Sequence, residues 1–115
     1  MVELVRSHGG NAVEGWWDRV REQSLGWVVA RAEDGSVAGF VNVTWDGGDH
    51  AFLLDAKVRG SLQRRGIGKR LVALAVQHAR EAGCEWLHVD FSPELEPFYL
   101  DACGFRPTPA GLIRL

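Results

Sequence analysis

The stretch Val58-Arg59-Gly60-Ser61-Leu62-Gln63-Arg64-Arg65-Gly66-Ile67-Gly68-Lys69-Arg70-Leu71 joins a β-rich run to an amphipathic one. Downstream of Gly66, Ile67, Leu71, Leu74, Ala75 and His78-Ala79 recur with a period of 3.6, while Lys69, Arg70, Gln77, Arg80 and Glu81 fall largely elsewhere, so a helix is predicted. A helix start exposes unpaired backbone N–H groups and a partial positive charge. Gly66 and Gly68 let an anion approach that backbone without a Cβ in the way, and Arg64, Arg65 and Lys69 add full charges, so the turn reads as a phosphate site. Neither common phosphate loop fits. Gly68-Lys69 is followed by Arg70 rather than Ser or Thr and lacks the upstream glycine of a Walker A loop, and Leu71 stands where a dinucleotide fingerprint needs its third glycine. A solvated basic turn would account for the charges, but not for glycines coinciding with a helix start.

The elements on either side follow from the same reading. Gly26 to Ala32 and Val37 to Trp45 are β-rich and separated by Glu33-Asp34-Gly35-Ser36, which predicts a hairpin. Asp46-Gly47-Gly48-Asp49 predicts a second tight turn, into a strand over His50 to Val58. Gly83 caps the helix, and Trp86 to Phe91 reads as a fourth strand. Because a helix crosses over between them, the third and fourth strands should be parallel neighbours. Pro93 to Ala102 reads as a short helix closed by Gly104, with Phe105-Arg106 and Leu112 to Leu115 as two short terminal strands. Toward the N-terminus, residues 8 to 12 read as a loop, and Trp16, Trp17 and Val20 recur at helical spacing, predicting a helix over residues 12 to 23 with its tryptophans in the core. No strand is read ahead of that helix.

Composition narrows the class. A chain of 115 residues, 46% hydrophobic and 24% charged, is expected to fold as one domain over residues 1 to 115, and it shows no internal repeat or low-complexity tract. No apolar run is long enough to span a bilayer, and Met1-Val2-Glu3-Leu4-Val5-Arg6 lacks the apolar stretch of a signal peptide, so a cytoplasmic location is expected. Cys84 and Cys103 are too few for a disulfide framework and lack zinc-site spacing, and both are expected to be buried thiols, with no metal. With 13 Lys and Arg against 15 Asp and Glu, the chain does not have the charge of a dedicated nucleic-acid or membrane binder. The basic residues instead crowd locally, at Arg59, Arg64, Arg65, Lys69 and Arg70.

Gln63-Arg64-Arg65-Gly66-Ile67-Gly68 resembles the Gln/Arg-x-x-Gly-x-Gly/Ala acyl-CoA signature of the GNAT superfamily of N-acetyltransferases. Pro97-Phe98-Tyr99-Leu100-Asp101-Ala102-Cys103-Gly104-Phe105 is similar to that family's Phe-Tyr-x-x-x-Gly-Phe segment. The resemblance covers roughly residues 26 to 115, with residues 1 to 25 matching only as the place of the acceptor-side helices. It implies an α/β (α+β) fold: a mixed, mostly antiparallel sheet with one parallel, splayed strand pair, flanked by helices. Here the usual first strand is expected to be missing and the C-terminal hairpin abbreviated around Pro107, Pro109 and Gly111. The implied activity is transfer of the acetyl group of acetyl-CoA to an amine, on a small molecule or peptide, by direct attack in a ternary complex.

The resemblance also assigns residues. Cofactor contacts would come from the main chain of Val58, from Gln63, Arg64, Arg65, Gly66, Ile67, Gly68 and Lys69, and from Ser92, which stands where the family often has an asparagine seven residues before the tyrosine. Tyr99 would protonate the departing sulfur as general acid. Asp55 is the first choice of base and Asp90 the second, with Asp55 alternatively pairing with Lys57 on one face of a regular strand. His88 is expected to be a hydrogen-bonded structural histidine. Two other functions stay open: an acyl-CoA-binding sensor or scaffold without turnover, and, less favoured, a small nucleic-acid module using the patch from Arg59 to Arg70. Neither the acceptor nor the oligomeric state is fixed, a homodimer being among the arrangements allowed.

Overall fold

The computed structural model describes residues 2–6, 15–60 and 66–115. In chain order the elements are β1 (Val2–Arg6), α1 (Gly15–Glu22), β2 (Ser24–Arg31), β3 (Val37–Trp45), β4 (His50–Val58), α2 (Ile67–Glu81) and β5 (Trp86–Val89), then a 3₁₀ turn at Pro93–Leu95 and a π-helical turn at Pro97–Ala102. The strands form one sheet in the order β1-β2-β3-β4-β5. Pairing is antiparallel from β1 to β4 and parallel between β4 and β5, as the crossover helix requires. No described helix is long and apolar enough to cross a membrane.

One face of the sheet is covered by α2. Leu71, Val72, Ala75 and Ala79 of α2 meet Val28 and Ala30 of β2, Val41 and Val43 of β3, and Ala51 and Leu53 of β4. The period of 3.6 on the helix and of 2 on the strands brings these side chains together, and their burial is the main source of stability. On the other face a smaller buried group forms from Trp27 and Val29 of β2 with Asn42 of β3. The α1 helix lies against β2, tied in by Ser24 Oγ donating to the Val20 carbonyl at 2.9 Å and by Thr44 Oγ1 donating to that of Gln23 at 2.9 Å. The side chains of Trp16 and Trp17 and the loop over residues 8 to 12 lie outside what is described.

Asp55 interrupts the alternation of β4, with a φ of 58°. In the register between β3 and β4, Asn42 faces Leu54 while Phe40 faces Lys57, so β4 carries one residue more than β3 over this interval. Such a bulge reverses which residues point to which side. Without it Lys57 would follow Ala51 and Leu53 onto the face beneath α2; with it Lys57 leaves that face and Val58 joins the core. Asp55 and Lys57 are therefore not on one face of a regular strand, and they form no ion pair.

Other expectations are also corrected. An N-terminal strand is present, with Val2 to Arg6 paired to Ala30 through Gly26. Its five residues include two charges, which a short edge strand accommodates and a buried strand would not. The two C-terminal strands are absent, residues 104–115 having no regular structure. Pro107 and Pro109 remove ladder donors there, and Phe105 is used differently, its N–H donating to the Tyr99 carbonyl at 3.0 Å. The fourth strand stops at Val89, short of Phe91, and the helix expected from Pro93 to Ala102 is divided into its 3₁₀ and π turns.

The bulge makes a stability prediction. A left-handed backbone is tolerated by Asp, easier for Gly and costly for a β-branched residue, by about 1–2 kcal/mol. In urea titrations Asp55→Gly should be neutral or stabilising and Asp55→Val should lose about that amount. Equal stability of the two variants would rule out this backbone at position 55.

Candidate active site

The sheet opens beside the bulge. β4 and β5 pair from His50↔Trp86 to Leu53↔Val89, and β4 then continues to Val58 without β5 beside it. The closed end is well secured. The Asp49 carbonyl accepts from the N–H groups of Glu85 and Trp86 at 2.8 and 2.9 Å, and His50 Nδ1 lies 2.8 Å from His88 Nε2 in a hydrogen bond between the two strands. His88 is thus hydrogen-bonded, as expected. Asp55 lies just past the last pair on the β4 arm and Asp90 just past it on the β5 arm, both exposed.

The open end meets the start of α2. Gly66 caps that helix with a φ of 74°, and a Cβ there would touch nothing within 4 Å among the described residues, so its glycine answers a backbone requirement. Arg70 N–H donates to the Gly66 carbonyl at 3.1 Å, and the N–H groups of the first helical turn ahead of it have no carbonyl within the helix to accept them. Gly68 has a second reason to lack a side chain, because a Cβ would come 3.2 Å from the Phe98 ring and 3.7 Å from Val58 Cγ2. Ile67 faces the core rather than the turn, beside Leu71 and against Gly39 of β3. Gly39 was not singled out in the sequence. A glycine inside a central strand signals close approach, and here a Cβ would come 2.9 Å from Leu71 Cδ1.

The basic cluster is divided. Gln63, Arg64 and Arg65 lie outside the described residues. Arg59 turns away, donating to Ser36 Oγ at 2.6 Å and to the Val37 carbonyl at 2.7 Å. Lys69 is exposed on α2 and lines a groove of about 290 Å³ with Val72, Ala73, Val76, Arg80, Ala102 and Cys103.

Tyr99 is 5% exposed, stacked on Phe91 with ring centres 5.1 Å apart and edge-on to Phe98 and Phe105 at 4.8 and 5.9 Å. The π turn that carries it closes with Cys103 N–H donating to the Phe98 carbonyl at 3.0 Å. Among the described residues nothing hydrogen-bonds its hydroxyl. Burial, and after it the neighbouring Cys103, push that hydroxyl above the usual tyrosine pKa. Burial likewise raises the Cys103 thiol, with Lys69 opposing, and raises Cys84. Both thiols are half-buried and stay protonated. Ser92 caps the 3₁₀ turn in an extended conformation without using its hydroxyl for the cap. Among the described residues no group of three or more His, Cys, Asp or Glu is placed to hold a metal.

An open parallel strand pair beside a glycine-capped helix start can be compared directly with known proteins. The Acetyltransferase (GNAT) family matches residues 4–105. Glucosamine 6-phosphate N-acetyltransferase 1 of Oryza sativa subsp. japonica is 43% identical over 53 residues, 46% of this chain; the chain spans only 29% of the length of that relative. The glucosamine-6-phosphate N-acetyltransferase of Arabidopsis thaliana superposes with a TM-score of 0.79 at 17% identity, over 100% of this chain and 97% of that one. The aminoglycoside N-acetyltransferase AAC(6′)-Iy, solved in complex with CoA, gives 0.70 at 24% identity, over 86% of this chain and 81% of that one. These solved structures share the fold, and the sequence match over residues 4–105 carries the assignment: the chain belongs to the GNAT acetyltransferase family.

Proposed function

We propose that this protein transfers the acetyl group of acetyl-CoA to a primary amine, and the observation that carries the reading is the parting of β4 from β5 directly beside the start of α2. The residues suit the cosubstrate. Gly66 leaves open space at a helix N-terminus for the pyrophosphate, with Gln63, Arg64, Arg65 and Lys69 as its polar and charged partners. The groove that begins at Lys69 gives the nucleotide end an apolar wall. Ser92, with its hydroxyl free of capping, is assigned to the pantetheine arm, and the main chain around Val58 to the thioester carbonyl.

The chemistry then follows from these positions. A neutral amine attacks the thioester carbon, the carbonyl oxygen takes up negative charge, and collapse of that adduct breaks the C–S bond. The departing thiolate takes the Tyr99 proton. A hydroxyl with a raised pKa is fully protonated at neutral pH, which a proton donor needs. The proton released by the amine passes to Asp55, directly or through water, with Asp90 on the other arm as the alternative. The relatives named for glucosamine 6-phosphate support a small amine-bearing acceptor. Amines on peptides belong to the same chemistry.

Acetyl-CoA should raise the thermal midpoint, since a ligand held only by the folded state stabilises it by about 2.7 kcal/mol at 100 times Kd. An unchanged midpoint at millimolar ligand would count against the whole reading. Tyr99→Phe keeps the ring among its phenylalanines, so the Kd for coenzyme A should hold while turnover falls by about 10²- to 10⁴-fold. A parallel loss of both would make Tyr99 a cofactor contact instead. The chain has one tyrosine, so tyrosinate absorbance titrates Tyr99 alone. Its midpoint should lie above the usual value of about 10. The sign for stability follows: below pH 10 the group is protonated whether folded or unfolded, and the stability tied to it is lost as pH rises through the folded value. Tyr99→Phe should therefore flatten the alkaline loss of stability.

A further inference from the structure

Past the last β4–β5 pair, Leu53↔Val89, the arm of β4 that borders the split has no β5 ladder among the described residues, and its pairing with β3 is interrupted by the bulge. Only Phe40↔Lys57 and Gly39↔Val58 resume that pairing, and Gly39 brings no side chain to it. Arg59 extends the hold. Its N–H donates to the Ala38 carbonyl at 2.7 Å, and its Nη2 donates both to the Val37 carbonyl at 2.7 Å and to Ser36 Oγ at 2.6 Å. One residue at the end of the arm thus grips three consecutive residues where the β2–β3 turn enters β3. Ser36 is itself fixed: its hydroxyl and its N–H donate to Asp34 Oδ1 at 2.6 and 2.9 Å, and its carbonyl accepts from the Ala32 N–H at 2.8 Å. The Ser36 hydroxyl and N–H, and after them the Arg59 guanidinium, hold the Asp34 carboxyl below the usual carboxylate range. At neutral pH the chain Asp34–Ser36–Arg59 is therefore charge-assisted at both ends.

We infer that Arg59 is a positioning residue for acetyl transfer, holding through Ser36 and Val37 the main chain at Val58, to which the thioester carbonyl is assigned. This rests on the acetyl-transfer reading above. A main-chain donor serves a developing oxyanion only from about 2.7–3.1 Å, so the arm that carries it has to be fixed. With β5 absent on one side and the ladder to β3 broken at Asp55, the anchor at Arg59 is what closes the far end of that arm. Arg59 accordingly acts by geometry and not as a phosphate charge, and its removal moves turnover rather than cofactor affinity. Asp34 and Arg59 are exposed, where such bonds add little to global stability, so the effect is local.

The test uses Arg59→Met, Ser36→Ala and the double variant on the full chain. Free thiol release from acetyl-CoA is followed with glucosamine 6-phosphate, glucosamine and glycinamide as acceptors, and the Kd for coenzyme A is measured by calorimetry. Arg59→Met should lower kcat by about tenfold, within the roughly 10²-fold that about 1 Å of misplacement can cost, while Kd stays within about twofold. Ser36→Ala changes no charge and leaves the Val37 bond, so it should lose less, and it should add nothing to Arg59→Met. Thermal midpoints should move by less than about 4 °C. A purely structural role would lower the midpoint and leave the kcat of the folded protein untouched. Unchanged kcat or additive losses overturn the inference. So does a loss of coenzyme A affinity in Arg59→Met that depends on salt, which would make Arg59 a phosphate charge. If Arg59→Met fails to fold, Ser36→Ala decides alone, a fall in kcat at constant Kd upholding the inference and an unchanged kcat ending it. A wild-type protein that binds coenzyme A and acetylates none of the three overturns the acetyl-transfer reading instead. Amide exchange at Val58 and Arg59 then decides the anchor by itself: faster exchange in Arg59→Met or Ser36→Ala upholds it, and equal exchange removes it.

Discussion

One extra residue in β4, accommodated at Asp55, sets the phase of everything beyond it. A strand has only two sides, so an insertion of one exchanges them. Upstream of Asp55 the helix-facing positions are Ala51 and Leu53, and downstream Val58 takes over that role. The exchange keeps an ammonium out of the core and seats the beginning of α2 on Val58, which a Cβ at Gly68 would meet in ordinary contact at 3.7 Å. The same irregularity coincides with the end of pairing to β5, so the kink and the opening of the sheet occupy one place.

On the proposed reading three structural resources serve that opening, and each is of a kind that would cost little at the moment of reaction. The helix start supplies fixed dipoles for an anion. Beyond Leu53 the main chain of β4 runs on without a β5 ladder among the described residues. The π turn supplies Tyr99, gripped on three sides by Phe91, Phe98 and Phe105, so that among the described residues ring packing holds it in place. Phe98 links two of these, being the ring that lies against Gly68. Preorganised groups of this kind stabilise developing charge without reorganisation.

Much of this could be read from the chain because it follows strong periodicities. The 3.6-residue repeat from Ile67 to Ala79, the hairpin turns at Gly35 and Gly47-Gly48, and the crossover that forces β5 parallel to β4 each rest on several residues agreeing. The bulge rests on one. In Leu53-Leu54-Asp55-Ala56-Lys57-Val58 apolar and polar residues do not alternate cleanly, and nothing local marks Asp55 as left-handed, which glycine usually signals. β1 is not legible in the sequence because five residues with two charges carry too little pattern, whereas Leu112 to Leu115 have a strand-like composition yet are exposed. Gly39 is hidden for another reason: its significance is the close approach of α2, which no local pattern in β3 announces.

The ladder between β4 and β5 is only four residues long, and it closes a connection that includes the whole of α2. So short a ladder is secured at its closed end by the Asp49 carbonyl and the His50–His88 bond, and along β5 by the side chains that Leu87 and Val89 bury. In the hierarchy of local unfolding, β5 and the π turn therefore belong to a less protected unit than the β2–β3–β4 meander, one able to exchange its amides without global unfolding. A ligand that touched both α2 and the split would bridge the two units. The cosubstrate would then act as a staple as well as a reactant, and release of coenzyme A would return the active site to its more easily opened state.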